Sequence, residues 1–586
     1  MRPTRLSFLL AGLLFASRVV AAPGLPDGLQ VVADVPAPAD VLGFAPGERH
    51  PRHDQVVAYF EALAAASDRV RIEFTGETHG GRPLMLAYFA RPDRLADLDA
   101  LRAAREAASR RGEGPAVVWL GYSVHGNEAS GASAALVTAW HLAASRDPEV
   151  LDWLDNMIIV MEPVLNPDGL DRFAHWANMH RGRHPSADPL DREHQENWPN
   201  GRTNYYWFDL NRDWLPLVHP ESRARVQHFR AWRPHVITDT HEMGPDSTYF
   251  FQPGVPERAN PLIPARNQEL TARIGTYHGE ILDAAGEPFY SREGFDDYYV
   301  GKGSTYPDVN GSIGILFEQG SVRGHRMDTP YGRRSFADAI ANQVRTSIST
   351  LRAGRAMANE LIAYQAEFFA AVQAQARRDR HAGWLLADGG DPMRASALLE
   401  VLLGHGVEVR PVAPDSHDQP GQSWFIPAQQ DTYLLLRAMF DVSAEPSADI
   451  FYDVSAWPLQ RAYNLPVTPV RRVPETGAPL RSLPQLSPVA LSESAVAWLV
   501  SWHQHRAPAL LAALLAEGYR VQAVTEPLVA ETAAGPLAVD RGGLLIHGGI
   551  QPEGLPPVSM RLAELADRYG VRAAAVRSGL SQAGID

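Results

Sequence analysis

The 586-residue chain contains no cysteine. Disulfides, thiolate zinc sites and a cysteine nucleophile are therefore excluded, so any transition metal must be held by His, Asp and Glu. Long apolar runs are missing too: after the first twenty residues nothing is extended and apolar enough to cross a bilayer as a helix. Excess positive charge is absent. Lys+Arg 54 against Asp+Glu 68 gives a net charge of −14, which disfavours nucleic acid or an anionic membrane as the main partner and leaves room only for a local basic pocket. No short internal repeat occurs.

What is present reads as an ordinary globular protein, 45% hydrophobic and 21% charged. Its length is too great for one core, so two or more domains are expected. At the N-terminus, Arg2 and Arg5 precede an apolar run from Leu6 to Phe15, and the small residues Ala21 and Ala22 follow. This is the pattern of a secretory signal peptide over residues 1–22, and it implies a secreted or periplasmic protein. Residues 23–50, rich in Pro, Gly and Ala, read as an extended lead-in.

From residue 51 to 378, apolar strand-like runs alternate with helical periodicity. Strands are expected at Val70–Thr75, Met85–Ala90, Val117–Leu120, Met157–Pro163, His235–Thr240 and Ile313–Phe317. Helices are expected at His53–Ala66, Arg94–Arg111, Ser130–Ala144, Ser222–Trp232, Ala265–Ala284 and, as one long element, Phe336–Gln375. Alternation of this kind gives a mixed, mostly parallel sheet with helices on both faces. Residues 379–586 repeat the alternation on a smaller scale. Trp384–Ala387, Met393–His405 and Val407–Val412 read as one βαβ unit, and Ala495–Val500, Ala507–Gly518 and Tyr519–Val524 as another. A smaller C-terminal α/β domain with a parallel sheet is expected there. It carries no nucleophile elbow, P-loop or His/carboxylate cluster, and its role and partner are left open. The chain ends in what reads as a strand-to-helix turn, which allows that domain to be incomplete.

Polar residues fall at the ends of the expected strands. His125 and Glu128 follow the Val117 run in VVWLGYSVHGNEASG, LNPDG follows the next, His241 closes another in THEMG, and Glu318 closes another in FEQG. Ligand-binding residues in parallel sheets gather beyond the carboxyl ends of the strands. Two imidazoles and a carboxylate brought to one rim can hold a divalent ion from one side. The polar stretch His180–Tyr206 reads as a long loop, and long loops in compact domains are usually functional or mobile.

The ordered set HGNE, NPDG, DLNRDW, THEMG, YYVGKGS and FEQG resembles the zinc carboxypeptidase family, whose best-known member is carboxypeptidase A. The resemblance covers about residues 50–350. It implies a mixed eight-stranded sheet and one Zn2+ per chain, held by His125, Glu128 and His241 with a fourth position open. It implies Glu318 as general base towards a zinc-activated water, and Asn211 and Arg212 as the pair that grips the terminal carboxylate of a peptide substrate. Asp209 corresponds to the acid that orients a zinc histidine, here His125. Arg181, with Arg183 as the alternative, corresponds to the arginine that polarises the scissile carbonyl. Tyr298, with Tyr299 a close rival, corresponds to the family's mobile tyrosine. Three positions depart from the best-known members: Glu242 replaces a small hydroxyl residue, Asn127 replaces an arginine, and Thr305 stands near the expected side-chain pocket without being acidic or large and apolar. The expected activity is hydrolysis of a C-terminal peptide bond. The alternatives are a zinc peptidase or amidohydrolase acting on peptidoglycan stem peptides, and a binding protein that keeps the fold without turnover.

Overall fold

The computed structural model describes residues 22–413, 421–441, 458–484, 495–532 and 535–583. The expected signal peptide lies, except for its last residue, outside the described residues. No helix among the described residues is long and apolar enough to cross a membrane.

The main sheet has eight strands: β1 (Val70–Glu77), β2 (Pro83–Phe89), β3 (Ala116–Tyr122), β4 (Met157–Glu162), β5 (Val236–Met243), β6 (Tyr249–Phe251), β7 (Phe289–Tyr290) and β8 (Ile313–Gly320). Their order is β1-β2-β4-β3-β5-β8-β6-β7. The four central strands β4, β3, β5 and β8 run parallel, while β1 and β2 pair antiparallel with each other and β2 with β4, and β6 pairs antiparallel with β8. The central strands are buried along almost their whole length, as a sheet covered on both faces requires; β3, β4 and most of β8 are apolar runs, whereas β5, VITDTHEM, is polar from Thr238 to Glu242. The fold is the mixed α/β sheet that the sequence pattern implies. From β3 the chain moves one way to β4 and then the other way to β5. The crevice where strand order reverses therefore opens between the carboxyl ends of β3 and β5, the place where such sheets bind ligands.

The helices Pro148–Asn156 and Pro167–His180 are not indicated by the pattern, and the second starts in the NPDG sequence that reads as a loop. Two further features differ from expectation within this region. The single helix expected over Phe336–Gln375 is two helices, Phe336–Ala356 and Ala358–Arg378, that meet at Met357. The first packs on the helices Gly131–Ala144 and Ala265–Ala285, the second on Leu98–Arg111, so the chain turns to follow a different neighbour. Periodicity of apolar residues survives such a turn and does not reveal it. The second difference is the short strands β6 and β7 at one side of the sheet, too brief to leave a pattern. A hairpin, β9 (Arg326–Thr329) and β10 (Gly332–Ser335), follows the main sheet.

Beyond residue 379 the expected parallel sheet is corrected: both sheets found there are antiparallel. The first orders β12-β13-β11-β14, from β11 (Gly383–Ala387), β12 (Arg410–Pro411), β13 (Ser423–Pro427) and β14 (Val467–Val470). The second orders β16-β19-β15-β20-β17-β18, from β15 (Ala497–Val500), β16 (Gln522–Ala523), β17 (Leu528–Thr532), β18 (Gly535–Val539), β19 (Leu544–His547) and β20 (Ala574–Ala583). The two expected βαβ crossovers exist, but each leaves a gap between its two strands. A later antiparallel strand fills it, β13 in the first unit and β19 in the second, giving a split βαβ arrangement twice. The apolar side chains of the first unit, among them Trp384, Leu398, Trp424 and Leu435, belong to the same continuous core as the main sheet. The second unit has cores of its own, around Trp498, Leu510 and Leu562 and around Leu499, Val524 and Val539.

Candidate metal centre

The site begins with backbone packing. The loop after β3 carries His125-Gly126-Asn127-Glu128, and the helix Pro167–His180 starts below it at the NPDG sequence. Asn166 caps that helix by accepting from Gly169 N at 2.9 Å, and its amide donates to the Arg202 carbonyl at 3.1 Å. A Cβ on Gly126 would stand 2.1 Å from the carbonyl carbon of Gly169, and one on Gly169 would stand 2.4 Å from Gly201 O. Three loops thus meet backbone to backbone at three glycines, an approach that any side chain would prevent. The third loop belongs to the long polar stretch and brings Arg202 to the rim.

His125, Glu128 and His241 converge there, all buried, with one ligand atom of each within 4.8 Å of the others. Glu128 lies between the two rings, Oε1 at 2.7 Å from His125 Nδ1 and Oε2 at 2.8 Å from His241 Nδ1, and the two Nδ1 atoms are 3.2 Å apart. The opposite ring nitrogens face carboxylates. His125 Nε2 is 2.8 Å from Asp209 Oδ1, and His241 Nε2 is 2.9 Å from Asp239 Oδ1. An Nε2–H that donates to a carboxylate leaves Nδ1 with its lone pair pointing at Glu128. That is the tautomer a metal ligand needs, with the outer acid that holds it. The donor set of two imidazoles and one carboxylate fits a catalytic zinc, which takes three protein ligands and keeps a fourth position for water. The electrostatics agree with a site built for positive charge. Burial alone would lower both histidines, yet Glu128 with Asp209 raises His125, and Asp239 with Glu128 holds His241 well above its ordinary value. Against its own burial, Glu128 is held far below the usual carboxylate range by the two rings.

Glu318 lies on β8 in register with His241 on β5, so the two side chains leave the sheet on one face. It is partly buried, and its Oε2 has no hydrogen-bond partner among the described residues. Burial pushes its carboxyl up to about 8, with His241 pulling down and Glu128 pushing up. A carboxyl with a raised proton affinity beside a cation site can accept and return a proton.

The other expected residues divide. Asp209 accepts from His125 as described. Asn211 uses its amide inside the protein, donating to Asp239 Oδ2 at 2.9 Å and accepting from Gly303 N at 2.7 Å. Arg212 directs Nη1 to the Asn211 carbonyl at 2.9 Å. The structure does not bring Arg181 to the cluster. It ends the helix Pro167–His180 and its guanidinium is bonded to the Glu48 carbonyl; Arg183 is exposed. The arginine at the centre is Arg202, with Nη1 3.2 Å from Glu128 Oε1 and Nη2 3.0 Å from Asp209 Oδ2. Of the two tyrosines, Tyr299 donates to the Arg212 carbonyl at 3.4 Å. Both tyrosines line one cavity with Asn260, Leu262 and Arg437. Lys302 in the same segment is buried against Asp296 at 3.0 Å.

Two residues of this centre escaped the sequence reading. Asp239 stands two before His241, and alternation along a strand puts both on one face, so THEMG read with the Asp that precedes it carried the signal. Arg202 lies in the irregular loop, nine residues before Asn211, and no periodicity marks it. Of the departures, Glu242 spends its oxygens internally, accepting from Ser130 N and Oγ and from Ser321 Oγ, and Asn127 donates to Glu196 at 3.0 Å. A cleft of about 350 Å³ opens beside Glu128, lined by Asn127, Glu196, Arg202, Glu242 and Arg323 among others.

Residues 56–244 match the zinc carboxypeptidase family. Carboxypeptidase 2 of Trichophyton rubrum is 30% identical over 140 residues, which is 23% of this chain and 21% of that protein. A probable carboxypeptidase 2 of Trichophyton verrucosum is 30% identical over 132 residues, 22% of this chain and 20% of that protein. The chain thus spans about a fifth of the length of the curated relatives it matches. Among solved structures, carboxypeptidase A from Helicoverpa armigera covers 54% of this chain and 76% of its own at 17% identity, with a TM-score of 0.37. A metallo-carboxypeptidase from Burkholderia cenocepacia covers 51% and 68% at 17% identity, with a TM-score of 0.35.

Proposed function

We propose, for a chain whose residues 56–244 match the zinc carboxypeptidase family, that the protein is a zinc-dependent carboxypeptidase cutting C-terminal peptide bonds. The observation that carries this reading is the pair of histidines whose Nδ1 atoms face Glu128 while Asp209 and Asp239 hold the opposite nitrogens. His125, Glu128 and His241 would hold the ion. Bound there, zinc makes a water more acidic and polarises a carbonyl.

The remaining roles fall to the chain's own groups. Glu318 takes the proton from the attacking water at its carboxylate and returns it to the departing amide nitrogen. Arg202, whose guanidinium already faces the acids of the centre, offers N–H donors to the carbonyl oxygen as charge develops on it. Arg212 offers a fork that matches two carboxylate oxygens of a substrate end. Asn211 works differently from the pairing the resemblance implies: its amide braces Asp239 and Gly303, so we assign it to positioning His241. Tyr299, against the Arg212 carbonyl, is our choice for the tyrosine that closes over the substrate. The N-terminal pattern supports export, so the substrates we infer are extracytoplasmic peptides.

The test is a panel of peptides with free or amidated C-termini, incubated with and without chelator and read by mass spectrometry. Sequential loss of single C-terminal residues from free-ended peptides alone, abolished by chelator, is expected. Replacing Arg212 with Met should harm free-ended substrates far more than amidated ones. Equal loss on both would overturn the terminal clamp.

A further inference from the structure

A second group of metal-type ligands lies outside the centre described above. His79 stands in the turn between β1 and β2, His219 precedes the helix Pro220–Trp232, and Glu221 is in that helix's first turn. One ligand atom of each lies within 4.8 Å of the others. His79 Nε2 and His219 Nδ1 are 3.0 Å apart. The corresponding nitrogens of His125 and His241 are 3.2 Å apart, and two nitrogens on one tetrahedral zinc would stand about 3.3 Å apart.

A helix start alone would not make a site. The decisive feature is Glu221, only 1% exposed, with both carboxylate oxygens buried and without a hydrogen-bond partner among the described residues. His219 is 6% exposed and turns its Nδ1 towards His79. A buried carboxylate with neither oxygen satisfied is costly, and proteins rarely keep one without a counter-charge. Arg225 makes no hydrogen bond to this carboxylate: Nε faces Glu162 at 3.2 Å, Nη2 faces the Leu165 carbonyl at 3.2 Å, and Nη1 is buried without a partner among the described residues, so its charge reaches Glu221 only through space.

We propose that His79, His219 and Glu221 hold a second divalent metal ion of the zinc class, with water completing its coordination, and that this ion positions a loop. Imidazole and carboxylate together suit such borderline cations. The ion would tie the β1–β2 turn to the helix start directly beneath the 204–208 loop, where Tyr206 packs on His79 with ring centres 4.8 Å apart and Phe208 on His219 at 4.6 Å. The next residue is Asp209, which orients His125, and Arg202 lies on the same loop. The ion would thus brace the loop that completes the first centre.

The test is zinc stoichiometry of the full chain by equilibrium dialysis and elemental analysis. Wild type is expected to bind two equivalents, the His125→Ala/His241→Ala variant one, and the His79→Gln variant one. In the His125→Ala/His241→Ala background, zinc should raise the melting temperature, and adding His79→Gln should abolish that rise. His79 is exposed, so its replacement tests the site without burying a new group, and Glu221→Gln serves as the second variant. A single equivalent in wild type, or a folded His125→Ala/His241→Ala variant that binds none, would overturn the second site. Undiminished binding in that variant with His79→Gln also present would overturn the second site too, because the remaining ion would then not rest on His79.

Discussion

Single side chains decide the chemistry, and two substitutions separate the roles assigned to them. Glu318→Gln keeps the shape of the side chain and removes its basicity. Hydrolysis should fall by between about 10²- and 10⁴-fold while bound zinc stays at the wild-type level; retention of full activity would remove Glu318 from the reaction. Arg202→Met should lower kcat by about 10²- to 10³-fold, whereas Arg181→Met, whose parent guanidinium is spent on the Glu48 carbonyl, should leave kcat within a factor of two. A reversed pattern would restore the arginine that the motif alignment favours. The contrast shows what is legible at this scale. His125, Glu128 and His241 could be read because strand ends are marked by apolar runs, and the metal chemistry restricts the residue types. Arg202 could not, because its position depends on how an irregular loop folds back onto two glycines. Tyr299 over Tyr298 is likewise a choice that rests on one hydrogen bond, to the Arg212 carbonyl, and neighbours in sequence leave no trace of that.

At the scale of loops and strands, the centre depends on three backbone segments meeting without side chains between them. Gly126→Ala would set a Cβ 2.1 Å from backbone atoms of residues 169 and 170. Backbone cannot yield as a flexible side chain can, so the HGNE loop must lift away from the helix start. The expected result is a destabilisation of at least about 2 kcal/mol together with weakened zinc retention. Gly244→Ala, where a Cβ meets nothing within 4 Å, should leave stability unchanged. On β5 the prediction is gentler. Asp239→Asn keeps the size of the side chain but weakens its hold on His241 Nε2, and zinc affinity should drop by about 10- to 100-fold with little change in melting temperature. Most elements of the main sheet were readable, since buried parallel strands are nearly pure apolar runs. The elements that were not readable are those set by tertiary partners: the turn at Met357, the two short strands β6 and β7, and the antiparallel insertions β13 and β19 that split both C-terminal crossovers.

At the scale of the whole molecule, the first unit beyond residue 379 is fastened to the main domain and the second is not built into the same core. His405 is the clearest fastening. Its Nε2 faces the Leu215 carbonyl at 2.8 Å and its Nδ1 the Tyr306 hydroxyl at 2.8 Å, so the buried ring is neutral, donating at one nitrogen and accepting at the other. Burial lowers its pKa to about 4. The sign of the linkage follows. Above pH 6.5 the ring is neutral whether folded or not and contributes no pH dependence. Between pH 6.5 and about 4 the unfolded chain takes a proton that the native ring refuses, so the native state loses up to about 1.4 kcal/mol per pH unit, about 3 kcal/mol in all. His405→Gln has no such proton. It should be less stable than wild type at pH 7.5 by about 1–3 kcal/mol, and the gap should close or reverse by pH 4.5 in paired denaturant titrations; a constant gap would refute the neutral buried ring. Truncation tests the same division. Trp384, Leu398, Trp424 and Leu435 share the main core, so a chain ending at residue 378 would leave apolar faces of the main domain uncovered and should aggregate or lose zinc. A chain ending at residue 484 loses the unit with its own cores and the polar ties of Asp391 with His505 N at 2.6 Å, Asp388 with Arg572 at 3.2 Å and Arg394 with the His503 carbonyl. That shorter chain should stay soluble, keep its zinc and keep hydrolysing free-ended peptides, with the opposite ranking of the two truncations showing that the core boundary lies elsewhere.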